Sequence, residues 1–134
     1  MNLGNQACVC GRKNKNALLS FAKCCERYLD HFDTTPAPSA EYLMRSRYSA
    51  FVLERADYLQ NTWHQTTRPS ELTFEQDVKW LGLDVRAYRL IDPEHAEVEF
   101  VAASRLKGRP IRLHELSRFV REDGRWFYVD GTQR

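Results

Sequence analysis

Apolar side chains recur three and four positions apart across residues 40–55, which is the spacing of one helix face. The pattern predicts an amphipathic helix that packs its apolar face against a core. Ser39 stands where a helix N-cap is expected, and Glu41 falls in the first turn, where negative charge is favoured. The apolar positions of this helix are Leu43, Met44, Tyr48, Phe51 and Val52.

Shorter helical features flank this segment. Residues 17–25 place small and large apolar residues on one helical face, which predicts a short helix. Residues 30–38 end in Thr-Thr-Pro-Ala-Pro, a sequence that stops a helix and acts as a linker. Asp57 is placed to cap a second short helix from Tyr58 to His64, and a further helical turn is expected after Ser70.

From Val78 onward, apolar residues alternate with polar ones, which is the period of a strand. Gly82 interrupts the first strand and predicts a bulge or bend. Asp123-Gly124 is a strong hairpin signal, because glycine accepts the positive φ of a two-residue turn. The strands are predicted at 78–91, around 98–102, at 110–121 and at 125–130, with turns at 92–94, 107–109 and 123–124.

Helices that precede an antiparallel meander indicate the α+β class, in which the helices cover one face of the sheet. The chain has 134 residues, enough for one core that needs no covalent support. No stretch approaches the roughly 18 apolar residues of a membrane helix, so no membrane association is expected. The N-terminus lacks the basic and apolar regions of a secretory signal, and a cytoplasmic location is therefore expected.

Charge and cysteine are both concentrated near the N-terminus. Residues 1–29 carry five basic side chains and one acidic one, while the whole chain has a net charge of only +2. All four cysteines lie within residues 8–25, whereas a disulfide scaffold would spread them through the fold. Clustered cysteines favour a metal site, although free thiols, two of them partly buried in a small helix, also fit this pattern.

The pairs Cys8, Cys10 and Cys24, Cys25 can supply four thiolates to one tetrahedral zinc ion. Such a site has no open position for substrate, so the ion would be structural. Four thiolates and Zn²⁺ leave a net charge of −2, which nearby basic residues would offset. These residues are Arg12, Lys13, Lys15, Lys23 and Arg27.

The sequence Cys8-x-Cys10-Gly11 followed by Cys24-Cys25 resembles the SEC-C motif, first known from the C-terminal tail of the secretion ATPase SecA. Valine replaces the usual proline at position 9, arginine replaces serine at position 12, and the gap between the cysteine pairs is longer than usual. Further segments resemble the YchJ-like family, and together they cover nearly the whole chain. They lie at residues 43–48, 62–64, 98–102, 114–119 and 126–131.

The resemblance implies an NTF2-like (cystatin-like) core, which is a curved antiparallel sheet wrapped on N-terminal helices, often with a pocket inside the cone. It also implies two parts, a SEC-C zinc knuckle at residues 1–29 and an NTF2-like domain at residues 30–134. It implies no activity, since the family is uncharacterised in this respect. Whether the chain is an enzyme is left open, and no catalytic residue is assigned.

Large aromatic and polar residues are candidates for lining such a pocket. Arg45 and Arg47 lie on the long helix, where they cannot share one face closely, and each has an alternative place on a solvated face or in an ion pair. His114 and Glu115 point to opposite faces of their strand and cannot form a direct acid–base pair. The candidate set is Arg45, Arg47, Tyr48, Trp63, His64, His114 and Trp126, and the alternative is that the aromatics fill the core.

The sequence is compatible with three functions. The first is an interaction module that docks an acidic protein partner through its zinc knuckle. The second is a binder of a small anionic or carbonyl-bearing ligand, or an enzyme, that uses the cone. The third is binding of nucleic acid or the ribosome, which we do not expect because only Phe21 and Tyr28 are aromatic among the N-terminal cations.

Overall fold

The computed structural model describes residues 3–134. A two-stranded hairpin near the N-terminus is followed by three helices and then by four long strands. The hairpin and helices are β1 (Lys13–Asn14), β2 (Ala17–Leu18), α1 (Glu26–Asp30), α2 (Ala40–Val52) and α3 (Ala56–Asn61). The long strands are β3 (Val78–Asp92), β4 (His95–Leu106), β5 (Arg109–Glu122) and β6 (Arg125–Gln133).

The four long strands form an antiparallel sheet in the order β3-β4-β5-β6, so each strand pairs with its neighbours in sequence. The turns at 107–108 and 123–124 both place two residues at positive φ, as two-residue hairpin turns require. The pairing of β3 with β4 shifts register at three places, one of them between Trp80 and Gly82. The predicted meander and the predicted bulge at Gly82 are thus confirmed.

Helix α2 lies across the inner face of the sheet and packs against β3, β4 and β6. Its N-cap is Ser39, whose side chain accepts a hydrogen bond from the backbone N–H of Tyr42 at 3.3 Å. The helix ends at Val52, two residues before Glu54 adopts a positive φ of 56°. The predicted helix and its cap are confirmed, and the helix is shorter than the 40–55 segment by three residues.

The helix predicted at residues 17–25 is wrong. Lys15 and Asn16 both have positive φ and form a turn that pairs β1 with β2. The backbone N–H of Cys8 then donates to the carbonyl of Leu19 at 2.9 Å. Backbone groups that a helix would use internally are therefore used in long-range pairing, and only a 3-10 turn forms at Phe21–Lys23, before α1.

The second predicted helix is shifted towards the N-terminus. It begins at Ala56 and ends at Asn61, with Arg55 as its N-cap and Asp57 in its first turn. The chain then turns to pair with β6, because the N–H of Tyr128 donates to the carbonyl of Thr62 and the N–H of His64 donates to the carbonyl of Tyr128, both at 2.8 Å. No helical turn follows Ser70, which also differs from the prediction.

The division of the chain at residues 29 and 30 stays a prediction. The described part of the first segment packs on α2, and its four cysteines belong to the same buried core as Leu43, Tyr48 and Phe100. Among the described residues, no helix is long and apolar enough to cross a membrane.

Candidate functional site

The four cysteines come together between the N-terminal hairpin and α2. Cys8 and Cys10 precede β1, while Cys24 and Cys25 lie between the 3-10 turn and α1. All four side chains are at most 4% exposed, and all four Sγ atoms lie within 4.8 Å of one another. The thiols are free, since no disulfide joins them.

Local backbone structure sets this arrangement. The chain turns tightly after Cys8, since the N–H of Gly11 donates to the carbonyl of Cys8 at 3.1 Å. Gly11 has a φ of +76°, a conformation that residues with a side chain rarely adopt. This turn directs the Cys8 and Cys10 side chains towards the second pair, which the 3-10 turn presents from the other side.

The cluster can hold a metal ion. A zinc ion with four sulfur ligands at about 2.3 Å in tetrahedral geometry places the sulfurs roughly 3.8 Å apart. In this structure the Sγ atom of Cys24 lies 3.5 Å from that of Cys10 and 3.9 Å from that of Cys25. The spacing and the donor type therefore both fit a tetrahedral thiolate site.

Hydrogen bonds among the thiols divide them into one pair with a lowered pKa and one pair with a raised pKa. Hydrogen bonds from neighbouring thiols, above all from Cys10 to Cys8 and from Cys24 to Cys10, hold the pKa of Cys8 and of Cys10 below the ordinary value. The same contacts, with burial adding to them, raise the pKa of Cys24 and of Cys25. Without a cation, the four thiols cannot all ionise at such short range, because each thiolate opposes the next.

Basic side chains support the cluster through its backbone. Arg45 donates from Nη1 to the carbonyl of Cys10 at 2.9 Å, and Arg27 donates from Nε to the carbonyl of Cys24 at 3.1 Å. Arg45 also forms an ion pair with Glu41 at 3.0 Å, as the alternative interpretation of its sequence position anticipated. Arg45 thus lies with the cysteines, and not in the pocket for which it was also considered.

A cavity of about 320 Å³ lies between α2 and the inner face of the sheet. Its walls are mainly aromatic and aliphatic, and a few polar side chains reach into it. The main apolar lining residues are Tyr48, Phe51, Trp63, Phe74, Trp80, Phe100, Leu113 and Tyr128, and the polar ones are Arg47, Glu54, Thr73, Glu75, Glu115 and Ser117.

Arg47 is the buried cation of this cavity, with 3% of its surface exposed. Its Nη1 donates to the carbonyl of Leu59 at 2.8 Å and to the hydroxyl of Thr62 at 2.7 Å. The guanidinium carbon lies 5.0 Å from the ring centre of Trp63 and 4.6 Å from that of Tyr128. Burial lowers the pKa of Arg47 to about 10, so the side chain remains protonated at neutral pH.

Within residues 3–134, the guanidinium of Arg47 has no carboxylate within ion-pair distance, and its Nε and Nη2 make no hydrogen bond. The Nε1 of Trp63 is also buried without a hydrogen-bond partner in this part of the chain. Buried donors are normally satisfied, so the unpaired Nε1 of Trp63 at the cavity wall is unusual.

Glu115 and Ser117 contribute the polar side chains of the cavity lining on the sheet side. They lie on the same strand face as Leu113, two residues apart, and Phe100 is directly opposite Glu115 in the sheet. The hydroxyl of Ser117 donates to Oε2 of Glu115 at 2.5 Å. A cation and a carboxylate thus face one apolar cavity from its helix side and its sheet side.

Three of the seven candidate pocket residues line this cavity, namely Arg47, Tyr48 and Trp63. Tyr48 is also 3% exposed and packs on Trp80, so it serves the core as well. The other four lie elsewhere. Arg45 is beside the cysteines, His64 and His114 are each bound to a glutamate, and Trp126 is in the core.

The two candidate histidines lie away from the cavity, each in a hydrogen bond with a carboxylate. The ring of His64 contacts Glu122 at 2.6 Å and Thr66 at 2.7 Å, because the chain after α3 runs along β6 and does not continue as a helix. His114 lies on the outer face of the sheet, where its Nε2 donates to Glu99 at 2.6 Å. This hydrogen bond lowers the pKa of Glu99.

Trp126 is 7% exposed and fills the core. It lies two residues before Tyr128 on β6 and shares its strand face, so the two side chains are separated by about 7 Å along the strand. Tyr128 occupies the position at the cavity, and Trp126 lies nearer the turn at 123–124.

Sequence reasoning missed Glu115 and Ser117 because it considered the opposite face of β5, which carries His114. Alternation along a strand places Leu113, Glu115 and Ser117 on one face and His114 on the other. The apolar Leu113 therefore offered a signal for the inner face. The contribution of Phe74 follows from the path of residues 71–77, which has no periodic pattern.

Comparisons with known proteins place these features in a family. Residues 39–131 match the family model described as YchJ, middle NTF2-like domain. A UPF0225 protein of Polaromonas sp. is 59% identical over 134 residues, which cover 98% of this chain and 96% of that protein. A UPF0225 protein of Bordetella pertussis is 54% identical over 128 residues, covering 95% of this chain and 92% of that protein.

Two solved structures are similar over most of their length. The solution structure of a SEC-C motif containing protein from Rhodopseudomonas palustris has a TM-score of 0.80 and 30% identity, and covers 95% of this chain and 98% of that one. The crystal structure of a SEC-C motif containing protein from Psychrobacter arcticus has a TM-score of 0.82 and 29% identity, and covers 100% of this chain and 86% of that one. With its NTF2-like sheet and its cluster of four N-terminal cysteines, the chain belongs to the YchJ-like UPF0225 family.

Proposed function

We propose that the protein binds a small acidic ligand in the cavity, and that a zinc ion on the four cysteines stabilises the N-terminal segment against α2. The observation that carries the first part is the buried guanidinium of Arg47, which faces a mainly apolar cavity and has no carboxylate within ion-pair distance among the described residues.

A buried cation without a direct ion pair is energetically unfavourable, since removing a charge from water costs several kcal/mol even after relaxation. The two acceptors on Nη1 and the faces of Trp63 and Tyr128 offset part of this cost, since a desolvated cation–π contact contributes about 2 kcal/mol. These contacts also hold the guanidinium plane in one orientation. A carboxylate or carbonyl oxygen in the cavity would accept from Nε and Nη2, which make the fork that carboxylates prefer.

The remainder of the cavity favours an apolar ligand body. Ligand sites typically occupy about 300–1,000 Å³ and combine apolar walls with a few polar groups, and this cavity of about 320 Å³ lies at the lower end. Along one wall, the ring of Tyr48 packs edge to face on Trp80 and that of Phe51 on Phe74, while Phe51 and Trp80 meet at a tilt. A flat ring system that bears one acidic group matches this combination.

Zinc is the metal that the cysteine cluster suits best. Four thiolates in tetrahedral spacing select zinc or iron, and zinc forms closed four-sulfur sites that stabilise small segments. The cluster is buried and is backed by Ser49 of α2, whose hydroxyl lies 3.6 Å from the Sγ atom of Cys8. A bound ion would therefore link the N-terminal hairpin and the start of α1 to the central helix.

Docking of an acidic protein partner is a second candidate function of the N-terminal segment. Lys13 and Lys15 are exposed on the hairpin, and Leu18 beside them is 53% exposed. Phe21 and Tyr28 are buried, so these two aromatics are not available to stack on nucleic acid bases, which favours a protein partner.

The zinc proposal predicts one zinc ion per chain in protein purified without chelator, measured by elemental analysis. Cys10→Ser should lower the zinc content to below about a tenth, because a three-sulfur site binds far more weakly. Ser49→Ala is the matched control, since it removes only the neighbouring hydroxyl and should retain the metal. A wild-type sample without metal whose four thiols titrate rapidly would contradict the proposal.

The structural role of the ion predicts a local response to chelation. Amide exchange should accelerate at residues 8–30, while β4 and β5 keep their protection, because these strands pair with each other over their whole length. The measurement is hydrogen exchange before and after chelator treatment. The same treatment of Cys10→Ser should change nothing further, and loss of protection across β4 and β5 would show that the metal supports the whole fold.

The role of Arg47 predicts selection of acids over neutral molecules of the same shape. Calorimetric titration should show that 2-naphthoate binds at least about tenfold more tightly than 2-naphthylmethanol, since a hydrogen bond to a charged group contributes about 1.5–3 kcal/mol. Arg47→Met should abolish this preference, whereas Arg47→Lys keeps the charge without the fork and should retain part of it.

Arg121→Met is the control for this series, because Arg121 is an exposed arginine near the end of β5. It should bind both molecules as the wild type does, and circular dichroism checks that each variant is folded. Equal affinity of the wild type for the acid and the alcohol, or an unchanged preference in Arg47→Met, would refute ligand binding through Arg47.

If the N-terminal segment docks an acidic protein, binding of that partner should depend on the charges of Lys13 and Lys15 and not on the cavity. After cross-linking in cells, the partner found with the wild type should be lost with Lys13→Glu combined with Lys15→Glu, because charge complementarity directs such encounters. It should be retained with Arg47→Met, whose substitution lies in the cavity. A partner that survives the charge reversal would exclude this surface.

A further inference from the structure

We propose that Glu115 is a second binding point of the cavity, so that the ligand is a monoacid whose apolar body also carries a hydroxyl or amino donor. This inference rests on the proposed binding of the acid group by Arg47. It adds the requirement for a donor on the apolar body of the ligand. It also excludes diacids, which Arg47 alone would accept.

Glu115 has a defined place on the sheet side of the cavity. It occupies β5 between Leu113 and Ser117, which share its strand face and also line the cavity. Its cross-strand neighbour on β4 is Phe100, a buried residue of the same lining. A carboxylate at this position is partly buried and lies beside Leu113 and Phe100, an environment that charged groups avoid unless they are paired.

One oxygen of this carboxylate is held by the protein. Oε2 accepts from the hydroxyl of Ser117 at 2.5 Å, and Ser117 is fully buried. The same oxygen lies over Gly131 of β6, where a Cβ atom would overlap it, so a side chain at position 131 would displace the carboxylate. The Oε1 atom has no hydrogen-bond partner within residues 3–134, and its side chain borders the cavity.

Arg47 and Glu115 face the same cavity, but they do not form an ion pair with each other, since no nitrogen–oxygen distance between them is within 4.0 Å. Two opposite charges in an apolar enclosure attract strongly, and direct pairing would satisfy both. Because separate contacts hold each group apart, with Arg47 fixed by Leu59 and Thr62 and Glu115 by Ser117, a space remains between an exposed fork of donors and an exposed acceptor.

A ligand that satisfies both groups needs an acceptor at one end and a donor at the other. A simple acid would pair with Arg47 and leave the carboxylate of Glu115 desolvated without a partner. A diacid would place a second negative charge near Glu115, and like charges in a low dielectric repel. Hydroxy acids and amino acids with an apolar ring avoid both penalties.

Calorimetric titration with a matched series tests this selection. The probes are 2-naphthoate, its hydroxy isomers and naphthalene-2,6-dicarboxylate, each measured with the wild type, Glu115→Gln and Gly131→Ala. The wild type should bind the best hydroxy isomer at least about tenfold more tightly than 2-naphthoate, and the diacid at least about tenfold more weakly. Glu115→Gln should reduce the hydroxyl gain to below about threefold and restore binding of the diacid.

Gly131→Ala keeps the carboxylate but displaces it, so it should also reduce the hydroxyl gain. Glu94→Gln, in the exposed turn between β3 and β4, is the control and should match the wild type. Equal or weaker binding of every hydroxy isomer relative to 2-naphthoate, or an undiminished gain in Glu115→Gln, would overturn the inference. If the inference about Glu115 fails in this way but binding of 2-naphthoate still requires Arg47, the proposed function stands. Absence of binding by every naphthoate would overturn the inference and the proposed function together.

Discussion

Burial of the Arg47 guanidinium fixes the relative positions of α2, the end of α3 and β6. Nη1 binds the carbonyl of Leu59 and the hydroxyl of Thr62, so the charge itself supplies a donor to the last turn of α3. The rings of Trp63 and Tyr128 enclose the same group, and these two residues form a bridge between the chain after α3 and β6. Because these contacts converge on one cation, the guanidinium is held in a single orientation at the cavity wall.

Helix α2 is the element that the cysteine cluster and the cavity share. Arg45 and Ser49 face the cysteines, while Arg47 and Tyr48 face the cavity. Because these residues project in different directions around the helix, α2 lies between the cysteine cluster and the cavity. This arrangement explains why the two arginines, only two positions apart, have different partners and different exposure.

Local signals in the sequence were sufficient for the elements that depend on local chemistry. The Ser39 cap, the bulge at Gly82 and the Asp123-Gly124 turn were predicted because each depends on one or two residues. The segment at 17–25 was mistaken for a helix because its backbone pairs with distant residues, which no local pattern reports. The cysteine cluster was predicted because its four residues are close together in the sequence. The cavity combines residues from α2, from β5 and from an irregular loop, so its lining depends on tertiary contacts.

The three shifts of register along β3 affect how the molecule meets other molecules. β3 is an edge of the sheet, and its far end exposes Tyr88, Leu90 and Ile91, a combination that invites another strand to add on. Each bulge twists the strand and breaks the regular row of donors and acceptors along its outer side. An incoming strand could therefore match only a few residues at a time, so the irregularity of β3 opposes edge-to-edge pairing with another chain.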